Sequence, residues 1–168
     1  MIIKAIASLN SPFSLTIGGA GDLETMLKES TEKLGLKSRI KFLGKIKNVN
    51  QYLIEHDCFV LSSFTEGFPN ALLEAMSIGL PCISTNCLSG PLELLHDDDT
   101  IEIPKNGFFK GKYGILINND DEVGLANALE YLKTNPTERV YYSNKSLERA
   151  KNYHIDSIYD EFRKFIHN

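Results

Sequence analysis

Glu66 and Glu74 are the two residues in this 168-residue chain whose type and spacing most plainly suit chemistry. They stand eight apart in the string SSFTEGFPNALLEAMSIGLPCIST, residues 62–85. Gly67 lets backbone approach a ligand closely. Pro69 suits a first helical turn, where its missing N–H costs nothing. The amides of Asn70 and Ala71 then point out of a helix N-terminus, which attracts phosphate. Glu74 lies about a turn further in, where its carboxylate can accept bonds from the vicinal hydroxyls of a ribose. Glu66 sits in the preceding loop and can meet a second sugar beyond the phosphates. A ligand with hydroxyls at both ends and phosphate between them fits that layout, and a nucleotide-sugar is such a ligand. Spacing alone does not select this reading, because two glutamates eight apart also serve as ordinary surface charges. The whole string and its place after a strand favour the ligand.

Other constellations carry less. Asp97, Asp98 and Asp99 form an acidic run, and a solvated loop explains it best. His56, His96, His154 and His167 are scattered, without metal-ligand spacing. No GxSxG nucleophile context occurs. The GGAG run at 18–21 does not fit GxGxxG and reads as a tight strand-to-helix turn. Lys37, Arg39, Lys41, Lys45 and Lys47 gather on one segment, as a solvated edge or a local attraction for an anion. Tyr141, Tyr142, Tyr153 and Tyr159 suit packing better than a ligand platform.

The elements that must position these residues alternate strand and helix. Ile2, Ile3, Ile6 and Leu9 recur at helical spacing, so the chain opens on a helix. FSLTIGG (13–19) is a buried strand ending in glycines. Asp22 caps a helix whose stripe is Leu23, Met26, Leu27 and Leu34, stopped by Gly35. IKFLG (40–44), CFVLSS (58–63) and PCIST (81–85) are further strands, with short helices at 49–56 and 70–78 between them. A turn of helix starts near Gly90-Pro91. TIEIP (100–104) and YGILI (113–117) are strands or extended loops. The tail from 120 to 166 holds two or three helices broken at Asn135-Pro136 and near His154. Short apolar strands alternating with helices give an α/β fold, a Rossmann-like parallel sheet with helices on both faces. Strand C-termini then share one edge, where ligands of such sheets bind. That edge carries residues 18–21, 44–46, 62–69 and 85–90.

Composition bounds the rest. The chain is 42% hydrophobic and 24% charged, with room for one domain. Its net charge of −4 and isoelectric point near 5.6 exclude the basic face of a nucleic-acid binder. Cys58, Cys82 and Cys87 form no CxxC pair and suit a reducing cytoplasm. No apolar run approaches the roughly 18 residues that span a bilayer.

The Glu66–Glu74 string resembles the signature of the retaining glycosyltransferases called group 1 or family 4, which have the two-domain GT-B architecture. LTIGGAGD, RIKFLGKIKNVNQYL, DCFVLSSFTEGFPNALLEAMSIGLPCISTN, the LSGPLELL run and YGILINNDDEVGLANAL follow in the family's order and cover most of 13–132. The resemblance implies that Glu66 contacts the donor hexose near the reacting centre and stabilises positive charge as the glycosidic bond breaks. It implies that the backbone of Gly67 and Phe68 faces that sugar. Asn70 and Ala71 match the amides on the distal phosphate, and Glu74 matches the ribose-binding glutamate. Gly44 and Lys45 match the loop beside the base, and Gly18 and Gly19 the glycine turn near the phosphates. No metal or other cofactor is implied. The SGPLELL run resembles enzymes of bacterial surface-polysaccharide and lipid-linked glycan synthesis, which makes a UDP-linked hexose or N-acetylhexosamine the expected donor and a glycan or lipid-linked acceptor the expected second substrate.

Family members carry, ahead of this region, an acceptor domain and a strand and loop whose Arg and Lys grip the pyrophosphate. Residues 1–168 resemble the donor-binding domain after that point. The expectation is a fragment without its first strand, with a sheet edge open to self-association. It should bind nucleotide weakly and transfer no sugar alone. The full-length protein would work in the cytoplasm or at the inner face of the membrane. Two rivals share the architecture: a nucleotide-binding regulatory module without catalysis, and a phosphorylase or epimerase half. The second needs a phosphate-binding lysine for a cofactor, or an acid and histidine set, and the sequence shows neither.

Overall fold

Helix α1 (Ile2–Ser8) opens the chain and turns Ile3, Ala5 and Ile6 inward, as their spacing requires. The computed structural model describes every residue except Ser11, Asp98, Asp99, His167 and Asn168. Strand β1 (Leu15–Gly18) pairs in parallel with β2 (Ile40–Gly44), joined through helix α2 (Glu24–Lys33). Helix α3 (Val49–Leu53) leads to β3 (Phe59–Leu61), α4 (Asn70–Ser77), β4 (Cys82–Thr85) and α5 (Pro91–Leu95). Strands β5 (Phe108–Lys110) and β6 (Ile115–Ile117) follow, then helices α6 (Glu122–Thr134), α7 (Pro136–Lys151) and α8 (Ile155–Ile166).

The expected parallel α/β architecture is present, with three differences of detail. The strands form two hydrogen-bonded ladders rather than one, β1-β2 and β3-β4-β6-β5. One apolar core nevertheless joins them. Leu15, Ile17, Ile40 and Phe42 from the first ladder pack with Val60, Ile83, Ile115 and Ile117 from the second, under α1 and α6. Strand β5 runs antiparallel to β6, with Phe109 opposite Leu116, and closes one edge as a hairpin through Gly111 and Gly114. Residues 100–104 take the extended-loop alternative of the two expected, and Ile101 and Ile103 pack against the second core. The α2 stripe is the third difference. Leu23 and Leu34 flank the helix instead of lying within it, Asp22 makes no cap, and Leu23, Met26 and Leu34 are exposed. Leu27 alone of the four reaches the core.

The opposite face of the four-stranded ladder carries the second core. Leu72, Ala75 and Met76 of α4 meet Leu94 and Leu95 of α5, Cys82 and Leu116. Every side chain of β6 is fully buried, which contributes roughly 1.5–3 kcal/mol for each. Helices therefore cover both faces, as the continuous apolar strands require.

Helix α6 starts on Asp121, whose carboxylate accepts from the Gly124 amide at 2.7 Å and the Asn106 amide at 2.9 Å. Asn135 ends it and Pro136 begins α7, as expected from the sequence. Helix α7 lies against α4. Its Ser146 hydroxyl is fully buried and donates to the Leu80 carbonyl at 2.7 Å. Its Tyr142 hydroxyl donates to the Gly111 carbonyl at 3.3 Å. Near its end, Arg149 lies over the Tyr113 and Tyr153 rings and donates to the Glu93 carbonyl. Arg149 also pairs with Asp97 at 3.5 Å, and Lys112 bonds the same carboxylate. The Lys112 bond, against the opposing effect of burial and with help from Arg149, sets the Asp97 carboxyl below its usual value. Ile155, Ile158, Tyr159, Phe162, Phe165 and Ile166 of α8 are exposed. Among the described residues no helix is long and apolar enough to cross a membrane.

Two outcomes test this packing. Ser146→Ala leaves the Leu80 carbonyl only the weaker Cys82 thiol, at 3.2 Å, and should lower the unfolding free energy by about 0.5–1.5 kcal/mol in denaturant titration. Asp97 has a depressed folded-state pKa, so its contribution is fully present above the unfolded carboxylate value, near ~3.9, and is lost as pH falls through the folded value. Asp97→Asn should therefore melt below wild type at pH 7, and the gap should close under acid below about pH 4. A gap that stays constant across that range rules out the ion pairs as its cause.

Candidate functional site

Strand β3 delivers the chain into the loop at 62–69, and the end of β4 fixes that loop from beneath. Thr85 is buried, and its hydroxyl donates to the Ser63 carbonyl at 2.6 Å. The Ser63 hydroxyl in turn donates to Glu66 Oε1 at 2.6 Å. The Glu66 amide donates to the Leu88 carbonyl at 3.2 Å, next to an isolated parallel bridge between Thr65 and Leu88. Glu66 is thus held at its carboxylate and its backbone, and remains partly exposed. No cation pairs with it among the described residues.

The loop after β4 interlocks with this one. Gly90 has φ +95°, and a Cβ there would lie 2.3 Å from Pro69 Cδ. Only glycine permits that approach. Cys87, between Thr85 and Leu88, is buried, which pushes its thiol up; the nearby Glu66 charge adds to the shift.

Pro69 directs the start of α4. It sits at the N-cap with φ −81° and ψ 73°, not in the first turn as the sequence suggested. Those angles bring the Asn70 amide round to the Phe68 carbonyl at 2.9 Å, an inverse γ-turn. The Asn70 amide is therefore engaged, a correction to its expected role. Leu72 and Leu73 donate to the Pro69 carbonyl. The Ala71 amide takes no carbonyl among the described residues. Leu72, Ala75 and Met76 face the core, so Asn70, Ala71 and Glu74 lie exposed on the outer side of the helix. The Phe68 ring rests against Tyr153 at 5.8 Å between centroids, and the Tyr153 hydroxyl donates to Glu93 Oε1 at 3.0 Å. The chain just past α7 thereby reaches the loop that carries Glu66. Burial, ahead of the Glu93 bond, raises the Tyr153 hydroxyl to about 12.

A second group forms where β1 and β2 end. Gly18 pairs with Gly44, and the Gly19 amide donates to the Gly44 carbonyl at 2.8 Å. Gly19 and Gly44 have φ of +128° and +63°. A Cβ on Gly18 would meet Ile46 Cδ1 at 2.6 Å. Lys45 follows, exposed. The expected site residues thus fall into two clusters: Gly18, Gly19, Gly44 and Lys45 in one, and Glu66, Gly67, Phe68, Asn70, Ala71 and Glu74 in the other. The hydrogen bonds described run within each cluster.

An open cleft of about 640 Å³ is lined by Asn86, Leu88, Ser89, Glu93, His96 and Arg149 among others. None of the expected donor residues lines it; Leu88, which bonds the Glu66 amide, does. The expected chemistry therefore rests on the loop geometry and not on this cleft. Among the described residues no group of three or more His, Cys, Asp or Glu could hold a metal ion. Asp97 of the acidic run is committed to Lys112 and Arg149; Asp98 and Asp99 lie outside the described residues. Sequence reasoning placed Ser63, Thr85, Leu88 and Gly90 on the ligand-binding edge but gave none of them a role. A serine three residues before an acid is an ordinary loop pattern, and Thr85 reads as one more buried strand position.

The comparisons agree with this picture. Residues 1–149 match the family model described as glycosyl transferases group 1. An uncharacterized glycosyltransferase of Methanocaldococcus jannaschii is 37% identical over 90% of this chain and 41% of its own length. A Campylobacter jejuni α-1,4-N-acetyl-D-galactosaminyltransferase, whose name specifies an undecaprenol-linked GalNAc acceptor, is 29% identical over 99% of this chain and 43% of its own. The chain thus spans about two fifths of these relatives. A crystal structure of the Anabaena protein HepE in complex with UDP and glucose superposes with a TM-score of 0.82, at 21% identity, over 98% of this chain and 43% of that one. This chain belongs to the group 1 glycosyltransferases and has the α/β fold of the C-terminal domain of their GT-B architecture.

Proposed function

We propose that this chain supplies the donor site of a retaining transferase that moves a hexose or N-acetylhexosamine from a UDP-sugar to a glycan or lipid-linked acceptor. The observation that carries the reading is the Glu66 loop: a carboxylate held by Ser63 on backbone tied to Leu88, ahead of a helix whose exposed side presents the Ala71 amide and Glu74. The Campylobacter relative and the UDP-bound Anabaena neighbour support the choice of sugar and nucleotide class.

Each residue then has a role. Glu74 accepts from the ribose hydroxyls. The Ala71 amide and the positive end of α4 meet the distal phosphate. The turns at Gly18, Gly19, Gly44 and Lys45 border the base and the phosphates. Gly67 and Phe68 offer backbone to the sugar, Phe68 having turned its ring to Tyr153. When the bond from the anomeric carbon to the phosphate oxygen breaks, its electron pair leaves with the nucleotide. Negative charge grows at the phosphate beside Ala71, and positive charge grows on the sugar beside Glu66. Fixed charges of opposite sign at the two places lower the barrier. No step in this scheme calls on a metal, and its setting is the cytoplasm or the inner face of a membrane.

Titration with UDP, GDP and ADP followed by amide NMR tests the site. UDP should shift Gly44, Ala71 and Glu74 at lower concentration than the other two. Glu74→Ala should weaken UDP binding roughly 10- to 150-fold, as expected for losing bonds to a charged acceptor. No response at millimolar UDP sinks the assignment. The isolated chain should also release no free UDP from a UDP-sugar above background when offered an acceptor; measurable turnover refutes the view that a second domain completes the catalytic wall.

A further inference from the structure

We propose that Ser63 is a positioning residue for Glu66, and that Thr85 makes it one. This rests on the reading above, in which Glu66 meets the donor sugar. The geometry is a relay across two strands. The Thr85 hydroxyl, buried at the end of β4, donates to the Ser63 carbonyl at 2.6 Å and fixes the backbone just past β3. From that fixed point the Ser63 hydroxyl donates to Glu66 Oε1 at 2.6 Å. The other carboxylate oxygen is left for the ligand.

The choice of a hydroxyl has a physical reason. A glutamate side chain has three rotatable bonds, and binding through it must first restrict them. A lysine or arginine would restrict them too, but its charge would cancel the field that Glu66 is to exert on a sugar gaining positive charge. A neutral donor orients the carboxylate and leaves its charge in place. No cation pairs with Glu66 among the described residues, and its amide is tied to Leu88, so the clamp acts at both ends without neutralising it. A serine with only a structural role would bond a backbone carbonyl, as the helical Ser8, Ser77 and Ser146 do. Ser63 turns to the carboxylate.

The readout is a ratio of affinities, UDP-hexose against UDP, measured by NMR titration of the chain. UDP lacks the sugar and does not use Glu66. Ser63→Ala should weaken UDP-hexose roughly tenfold and leave UDP within about twofold, while Ser63→Thr, which keeps the hydroxyl, should restore the ratio. A serine of merely structural importance would weaken both ligands together, and that result overturns the proposal. Glu66→Ala separates the two levels of inference. If it leaves the ratio unchanged, the donor-site reading fails; if it lowers the ratio and Ser63→Ala does not, the positioning role alone fails. Should Ser63→Ala not fold, Thr85→Val, which keeps shape but loses the donor, is read in the same way, and an unchanged ratio there is equally decisive against the relay.

Discussion

The site depends on one mechanical constraint: the loops that follow β3 and β4 are locked into each other. Glu66 gives its amide to Leu88, Thr65 bridges to the same residue, and Pro69 occupies the space that a side chain on Gly90 would need. Neither loop can move without the other. Both spring from adjacent parallel strands paired Phe59 to Cys82 and Leu61 to Ser84, so their separation is set by the ladder beneath them. A carboxylate on a free loop would sample many positions. Here it inherits the rigidity of a sheet whose β4 and β6 side chains are wholly buried.

Helix α7 extends that rigidity to the helices. It is anchored on α4 through Ser146 and Leu80 and on the hairpin through Tyr142 and Gly111. Its last turn then holds α5 through Arg149 and Glu93, and Tyr153, just past its end, touches the site loop at Phe68. Arg149 meets Asp97, the Glu93 backbone and two tyrosine rings at once. Stability and site geometry are therefore coupled. A change that loosens α7 reaches Phe68 through the packed ring of Tyr153 and a shared glutamate.

The sequence made most of the framework legible, because periodicity reports burial. The apolar runs at 40–44 and 81–85, the break at Asn135-Pro136 and the helix beginning at Asn70 all correspond to elements in the structure. What it concealed was relational. The stripe of α2 failed because Leu23 and Leu34 lie just beyond the helix ends, where 3.6-residue spacing has no meaning. Strand β5 escaped notice because FFK is too short to show a period, although Gly111 and Gly114 mark its hairpin. Glu66 and Glu74 were visible through their setting. The hydroxyls of Ser63 and Thr85 that hold Glu66 were not, since a serine in a loop and a threonine in a strand carry no pattern of their own. The Asn70 amide was misjudged for a similar reason: whether Pro69 stands before a helix or inside it depends on ψ, which proline leaves open.

Electrostatics gives the last constraint on how such a site can work. The chain carries a net charge of −4, and the two glutamates around α4 add negative charge where a diphosphate is proposed to sit. Attraction cannot come from the molecule as a whole. At physiological ionic strength charges are screened beyond about 8 Å, so what matters is the groups a ligand would touch. The start of α4 offers about half a positive charge with the Ala71 amide at its tip, and in the other cluster Lys45 stands exposed beside the Gly44 turn. These are modest attractions set against two carboxylates. The balance favours a ligand whose hydroxyls reach the carboxylates while its phosphates stay with the amide. A bare phosphate, with no hydroxyl to offer Glu66 or Glu74, meets more repulsion than attraction. On the proposed reading, selectivity for a long ligand with alcohol groups at both ends would arise from the order of charges along one short stretch of chain, acid, helix start, acid, before any contact with the base is counted.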